Sequence, residues 1–158
     1  MTSREVLDWA AFGEAVRELA AQITADGYRP DVLLSIARGG LLVGGALGYA
    51  LGVKPHYLIN VEYYAGVNRR LDHPEVLPPD LNLEAAQGAK ILIADDVADT
   101  GHTLALVKQR CQASVSEARI AVLYQKPTTV VPCEYVWKHT DRWIDFPWSA
   151  PGALLTGG

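Results

Sequence analysis

The sequence predicts an α/β fold: a mostly parallel, twisted sheet flanked by helices. Three observations carry that expectation. Apolar runs of strand length alternate with segments of helical periodicity. Glycine-rich or acidic turns follow the carboxyl ends of two of those runs, where ligands bind in such sheets. Hydrophobic residues make up 49% of 158, enough for one domain, 1–158, that buries roughly two-thirds of the surface its unfolded chain exposes.

From the N-terminus, Trp9, Phe12, Val16, Leu19, Ala20 and Ile23 recur at intervals of three and four, which predicts an amphipathic helix over Asp8–Ala25. Asp8 caps it and Gly27 ends it. Asp31–Ile36 reads as a buried strand, and Gly40–Leu51 as a small-residue helix packed closely on it. Further strands are expected at Tyr57–Val61, Ile91–Ala94, Ile120–Tyr124 and Tyr135–Trp137, with helical pattern from Thr103 to Gln112. Between Glu62 and Gly88 the pattern dissolves into Tyr63-Tyr64, Arg69-Arg70, Pro74 and Pro78-Pro79. A connection of that length inside a compact domain is usually functional or mobile, so 62–88 is read as a flexible hood loop over the site.

Composition narrows the function classes. Fourteen basic against eighteen acidic residues give a net charge of −4, without the Lys/Arg cluster of a nucleic-acid footprint. No apolar run reaches the length of a membrane span. Cys111 and Cys133 lack metal-ligand spacing and the N-terminus reads as no signal peptide, which together fit a cytoplasmic protein. The four histidines stand singly, without zinc-site pairing.

The most informative stretch is Lys90–Leu104. An apolar strand delivers Asp95-Asp96-Val97-Ala98-Asp99-Thr100-Gly101-His102-Thr103 into a helix. Asp95 and Asp96 offer acceptors for ribose hydroxyls or for Mg²⁺, and the loop after them turns N–H groups toward one anion at a helix N-terminus. Gly101 permits the tight turn, while Thr100 and Thr103 add hydroxyl donors. Asp95, Asp96 and Asp99 also have the spacing of the DDxxD magnesium motif of prenyl-chain synthases. Those enzymes are all-helical, whereas here the motif follows a strand and is closed by Thr-Gly. A second turn, Ser35-Ile36-Ala37-Arg38-Gly39-Gly40, brings N–H groups and a guanidinium to another anion.

These motifs closely resemble those of the type I phosphoribosyltransferases, and the chain is most similar to the bacterial xanthine-guanine (6-oxopurine) branch of that family. The likeness runs from about Asp31 to Trp148 and includes the lysine-proline pair Lys126-Pro127 and the segment Trp143-Ile144-Asp145-Phe146-Pro147-Trp148. It implies the type I phosphoribosyltransferase fold and Mg²⁺-dependent transfer of a phosphoribosyl group from phosphoribosyl pyrophosphate (PRPP) to xanthine, guanine or hypoxanthine, in purine salvage. By the same resemblance Asp95 and Asp96 contact the ribose diol and Mg²⁺, and Ala98, Asp99, Thr100, Gly101, His102 and Thr103 hold the 5′-phosphate. Asp99 is catalytic, exchanging a proton with the purine ring. Ala37, Arg38, Gly39 and Gly40 hold the pyrophosphate, and in the family this loop often has a cis peptide, here near Ala37-Arg38. Base recognition falls to 126–150: Lys126 contacts the exocyclic oxygen, Trp143 stacks, and Ile144 reads the base through main-chain atoms. Asp145 joins Asp96 in holding metal, and family members are commonly homodimers or homotetramers. The rival from another class is a non-catalytic PRPP-binding regulator of the same fold. The hood residues Tyr63, Tyr64, Arg69 and Arg70 do not align with the family's pattern.

Overall fold

The computed structural model describes residues 3–64 and 70–155. Eight strands and three helices follow in the order β1 (Glu5–Val6), α1 (Trp9–Ala25), β2 (Val32–Ala37), α2 (Gly39–Leu51), β3 (His56–Tyr64), β4 (Arg70–Val76), β5 (Lys90–Ala98), α3 (His102–Gln112), β6 (Glu117–Gln125), β7 (Tyr135–His139) and β8 (Ile144–Asp145). Six strands form one sheet in the order β4-β3-β2-β5-β6-β7, and β1 pairs with β8 in a separate two-stranded ribbon. All neighbours in the large sheet run parallel except β3 and β4.

Alternation along the strands sorts the core into two layers. Leu33, Leu92, Ala94, Ala121 and Leu123 pack under α1 and α2 with Val16, Leu19, Ile23, Val43 and Leu47. Leu34, Ile36, Ile91, Ile93, Ile120 and Val122 face the other way and pack with Leu104, Val107 and Cys111 of α3. Burial on both faces explains why these strands read as continuous apolar runs. The thiol of Cys111 is pushed up to about 11 by that burial.

Helix α1 begins where expected, since the Asp8 carboxylate accepts from the Ala11 N–H at 2.7 Å. Helix α2 comes unusually close to the sheet. A Cβ on Gly44 would collide with the hydroxyl of Ser35, and one on Gly40 would lie 2.5 Å from the Ala94 carbonyl. Ser35 is fully buried and hydrogen-bonded to His56 Nε2 at 2.5 Å, and burial holds the His56 imidazole below its usual range.

Two expectations need correction, and one element was not foreseen. The predicted hood loop 62–88 opens as an antiparallel hairpin: β3 runs on to Tyr64 and returns through β4, with Val61 opposite Val76, before a single 3₁₀ turn at Glu84–Ala86. Strand propensity in Tyr63-Tyr64 extends the element past the point where alternation fails. The side chains of Tyr63, Tyr64, Arg69 and Arg70 lie outside the described residues. The strand expected at Ile91–Ala94 runs from Lys90 to Ala98, so Asp95 and Asp96 lie within it. The β1–β8 ribbon was not foreseen, because two-residue strands carry no periodicity to detect.

Candidate active site

The chain leaves β2 for β3 on one side of the sheet and later returns to place β5 on β2's other side. The connections after β2 and β5 therefore diverge, opening a crevice at the carboxyl ends of the two adjacent strands. A cavity of about 760 Å³ occupies that crevice. Ala37, Arg38 and Gly39 line it from the β2 side, and every residue from Asp95 to Leu104 lines it from the β5 side. Two turns some fifty residues apart in sequence thus face one pocket. Gly40 is the exception, since its place is taken up by the close contact with Ala94.

Two helices start at this cavity, and neither start is capped by a side chain. The first turn of α2 follows Arg38 and that of α3 follows Gly101, both without a side-chain acceptor, in contrast to α1. Each leaves free N–H donors and the positive end of a helix dipole facing the same space. Gly101 sits at φ +82°, a left-handed conformation that permits the turn. Gly39 has another reason: a Cβ there would collide with the carboxylate of Asp96. The Ala37–Arg38 peptide is cis, where the resemblance placed it.

Between the two anion cradles lie Asp95 and Asp96, half-buried at the end of β5. The Asp96 N–H donates to Asp95 Oδ1 at 2.9 Å, and the Val97 N–H donates to Asp96 Oδ1 at 2.8 Å. Burial and the charge of Asp96 raise the Asp95 carboxyl well above the usual carboxylate range. Asp96 is raised as well, chiefly by burial, with opposing help from its hydrogen bonds to Asp95 and Val97. Two acids strained against ionisation suit a ligand that brings hydroxyl donors or a cation.

Asp99 lies at the outer edge of the pocket with a side chain 60% exposed, 3.9 Å from Lys126 Nζ. Lys126 does not line the cavity, and its Nζ stands 5.8 Å from the ring centroid of Trp143. Trp143 is 63% exposed, and the Arg4 guanidinium also stands over its ring at 5.9 Å. Ile144 has a buried side chain, and its backbone belongs to the β1–β8 ribbon. There the Glu5 and Leu7 N–H groups donate to the carbonyls of Trp143 and Asp145 at 2.8 and 3.0 Å. Because successive carbonyls alternate along a strand, those of Ile144 point away from β1, uncommitted by that ladder.

Asp145 departs from its predicted role beside Asp96. Its two carboxylate oxygens accept from Arg4 Nε and Nη2 at 2.7 and 2.6 Å, and that pairing holds the carboxyl below its usual range. Asp96 lines the cavity and Asp145 does not. Among the described residues no group of three or more His, Cys, Asp or Glu is gathered to hold a metal.

Trp148 and Ser149, inside the predicted 126–150 segment, line the pocket, and so do Gly152 and Ala153, which sequence reasoning missed. Trp148 stacks on Phe146 at 4.8 Å between centroids and packs edge-on against Phe12 at 5.3 Å, so it is a core aromatic as well as a cavity wall. Thr128 was missed too: its hydroxyl donates to the Asp99 carbonyl at 2.9 Å. The Pro-Thr-Thr run after Lys126 signals only a turn.

The pocket defines a class: an α/β protein whose cavity, at the carboxyl ends of two adjacent parallel strands, gathers two uncapped helix N-termini and an acidic pair. Residues 2–152 match the model of the phosphoribosyl transferase domain, and the chain belongs to that family. It is 32% identical over 142 residues to a xanthine-guanine phosphoribosyltransferase of Gluconobacter oxydans, covering 89% of this chain and 81% of that protein. A protein of the same name from Idiomarina loihiensis is 28% identical over 145 residues, with 90% and 84% covered. Among solved structures, a purine phosphoribosyltransferase from Pyrococcus horikoshii superposes with a TM-score of 0.80 at 33% identity, over 92% of this chain and 94% of that one. The central parallel sheet flanked by helices is accordingly the type I phosphoribosyltransferase fold.

Proposed function

We propose that this protein transfers the phosphoribosyl group of PRPP to a 6-oxopurine, releasing pyrophosphate and a purine nucleoside monophosphate in the salvage of free bases. The observation that carries this reading is the meeting of two uncapped helix N-termini across Asp95 and Asp96 in one cavity. PRPP is a molecule with a phosphate at one end, a pyrophosphate at the other and a diol between.

In this reading the N–H groups of Ala98–Thr103 bind the 5′-phosphate, and Arg38 with the N–H groups around Gly39 binds the pyrophosphate. Asp95 and Asp96 accept from the ribose hydroxyls. Bond breaking at the anomeric carbon leaves positive charge on the sugar and negative charge on the leaving group. The site meets both, with carboxylates under the ribose and amides and a guanidinium around the pyrophosphate. Trp143 stacks on the purine, Lys126 donates to its exocyclic oxygen and the Ile144 backbone reads its edge. Asp99 takes or shares the ring proton as the opposite nitrogen attacks, a contribution worth about 10²–10⁴-fold.

Asp96, with Asp95 beside it, offers the hard oxygen donors that Mg²⁺ takes. Since Mg²⁺ is commonly bound by one or two carboxylates together with substrate phosphates, this pair fits a metal that arrives with PRPP. Bound so, the ion would neutralise charge on the pyrophosphate.

Both cysteines are free thiols, which supports a reducing, cytoplasmic setting; no helix among the described residues is long and apolar enough to cross a membrane. Tyr49 and Leu41 on α2 and Leu58 on β3 are exposed apolar residues, which supports self-association into a dimer or tetramer.

The deciding experiment supplies PRPP, Mg²⁺ and each of xanthine, guanine and hypoxanthine, with mass-spectrometric detection of nucleotide. Turnover of at least one base, with kcat depressed by Asp99→Asn far more than PRPP affinity, is the expected result. PRPP binding without product from any base would refute catalysis.

A further inference from the structure

The turn after β6 is fastened to the phosphate loop by three successive hydrogen bonds. The Lys126 N–H donates to the Ala98 carbonyl at 2.9 Å, the Thr128 hydroxyl to the Asp99 carbonyl at 2.9 Å, and the Val130 N–H to the Thr100 carbonyl at 2.7 Å. The turn is closed on itself by the Thr129 N–H donating to the Lys126 carbonyl at 3.2 Å. In a trans peptide the C=O and the following N–H point in opposite directions. Turning the carbonyls of Ala98, Asp99 and Thr100 toward this strap therefore aims the amides of Asp99, Thr100 and Gly101 away from it, to the side on which those residues line the cavity.

Thr128 is the one side chain among the three fastenings, and it makes a second contact that the backbone bonds cannot. Its Oγ1 also lies 3.4 Å from Asp99 Oδ1, while Lys126 Nζ stands 3.9 Å from Oδ2. The two oxygens of a mostly exposed carboxylate thus each have one neighbour, and both neighbours come from the same turn. A hydroxyl has a single proton, so Thr128 shares it between the carbonyl and the carboxylate of one residue. Rotating the Asp99 side chain away forfeits that share.

We infer that Thr128 is a positioning residue that sets the carboxylate of Asp99 for proton exchange with the base, an inference that rests on the phosphoribosyl transfer proposed above. It does not line the cavity and acts through Asp99. Thr128 is itself exposed, so its removal leaves the core intact.

The test compares Thr128→Val, which keeps the shape without the hydroxyl, and Thr128→Ser, which keeps the hydroxyl without the methyl, in steady-state kinetics with the full chain. Loss of a positioning contact should lower kcat about tenfold in Thr128→Val, with the KM for PRPP within roughly threefold of wild type and Tm lowered no further than the loss of one exposed hydrogen bond allows. Thr128→Ser should recover kcat to within about twofold. Wild-type kcat in Thr128→Val, or equal impairment in both variants, overturns the inference while leaving phosphoribosyl transfer standing. A wild-type protein that turns over no 6-oxopurine overturns the transfer reading and this inference with it.

Discussion

Substituting Gly101 with alanine probes both the construction of the phosphate loop and its use. Gly101 sits at φ +82°, a conformation that costs a residue with a Cβ about 1–2 kcal/mol. The added methyl would also collide with Thr129 Oγ1 and would lie 3.1 Å from both the Val130 nitrogen and Val131 Cγ1. Thr129 cannot swing aside freely, because its hydroxyl donates to the Val131 carbonyl at 2.8 Å. Losing that bond adds about 0.5–1.5 kcal/mol. The sum is about 1.5–3.5 kcal/mol, which lowers Tm by roughly 3–14 °C for a chain of this size. Calorimetry on the ligand-free protein measures that loss, and titration calorimetry with PRPP measures the second effect, an affinity at least about tenfold weaker as the loop amides shift. Gly27→Ala is the matched control. Gly27 has φ +77° but open space around its Cβ position, so the variant carries only the conformational cost and keeps wild-type PRPP affinity. A Gly101→Ala protein with the Tm of wild type, or with the Tm of Gly27→Ala and undiminished PRPP affinity, would refute the reasoning.

Asp95→Asn should stabilise the ligand-free protein near neutral pH while abolishing turnover. The Asp95 carboxyl is raised in the fold, so above the ordinary carboxylate range the unfolded chain ionises more readily than the folded one, and wild-type stability falls as pH rises through that window. The Tm advantage of the variant should therefore be largest near pH 7 and shrink as the pH is lowered toward 4; a variant less stable than wild type at pH 7 contradicts this. Arg4→Ala removes the cation beside Trp143 and frees both oxygens of Asp145. It should raise the KM for the purine several-fold and leave PRPP binding unchanged, and an unaltered base KM would detach the N-terminal strand from base recognition.

Much of the fold is legible along the chain because its signals are local. Asp8 and the spacing of Trp9 through Ile23 specify α1, and the apolar runs at Val32 and Ile91 specify strands buried on both faces. The acidic motif and the Arg-Gly-Gly turn are equally local, since each must place its donors within a few residues. Edges were less legible. The β3–β4 hairpin reads as loop because one side of it carries no core alternation, and the Lys90 strand runs four residues beyond its apolar run because neighbouring strands supply the hydrogen bonds.

By itself, then, the amino-acid order determined the α/β architecture, the two turns proposed to bind anions and the acidic pair between them, since backbone geometry and helix ends impose those within short windows. Only tertiary structure decided that Asp145 is bound to Arg4, that Trp148 and the residues after it wall the pocket, and that Thr128 fastens Asp99. Each of these joins positions far apart in the chain, 141 residues for Arg4 and Asp145 and 29 for Thr128 and Asp99. Such partners are chosen by packing across the sheet, which leaves no periodic trace in sequence.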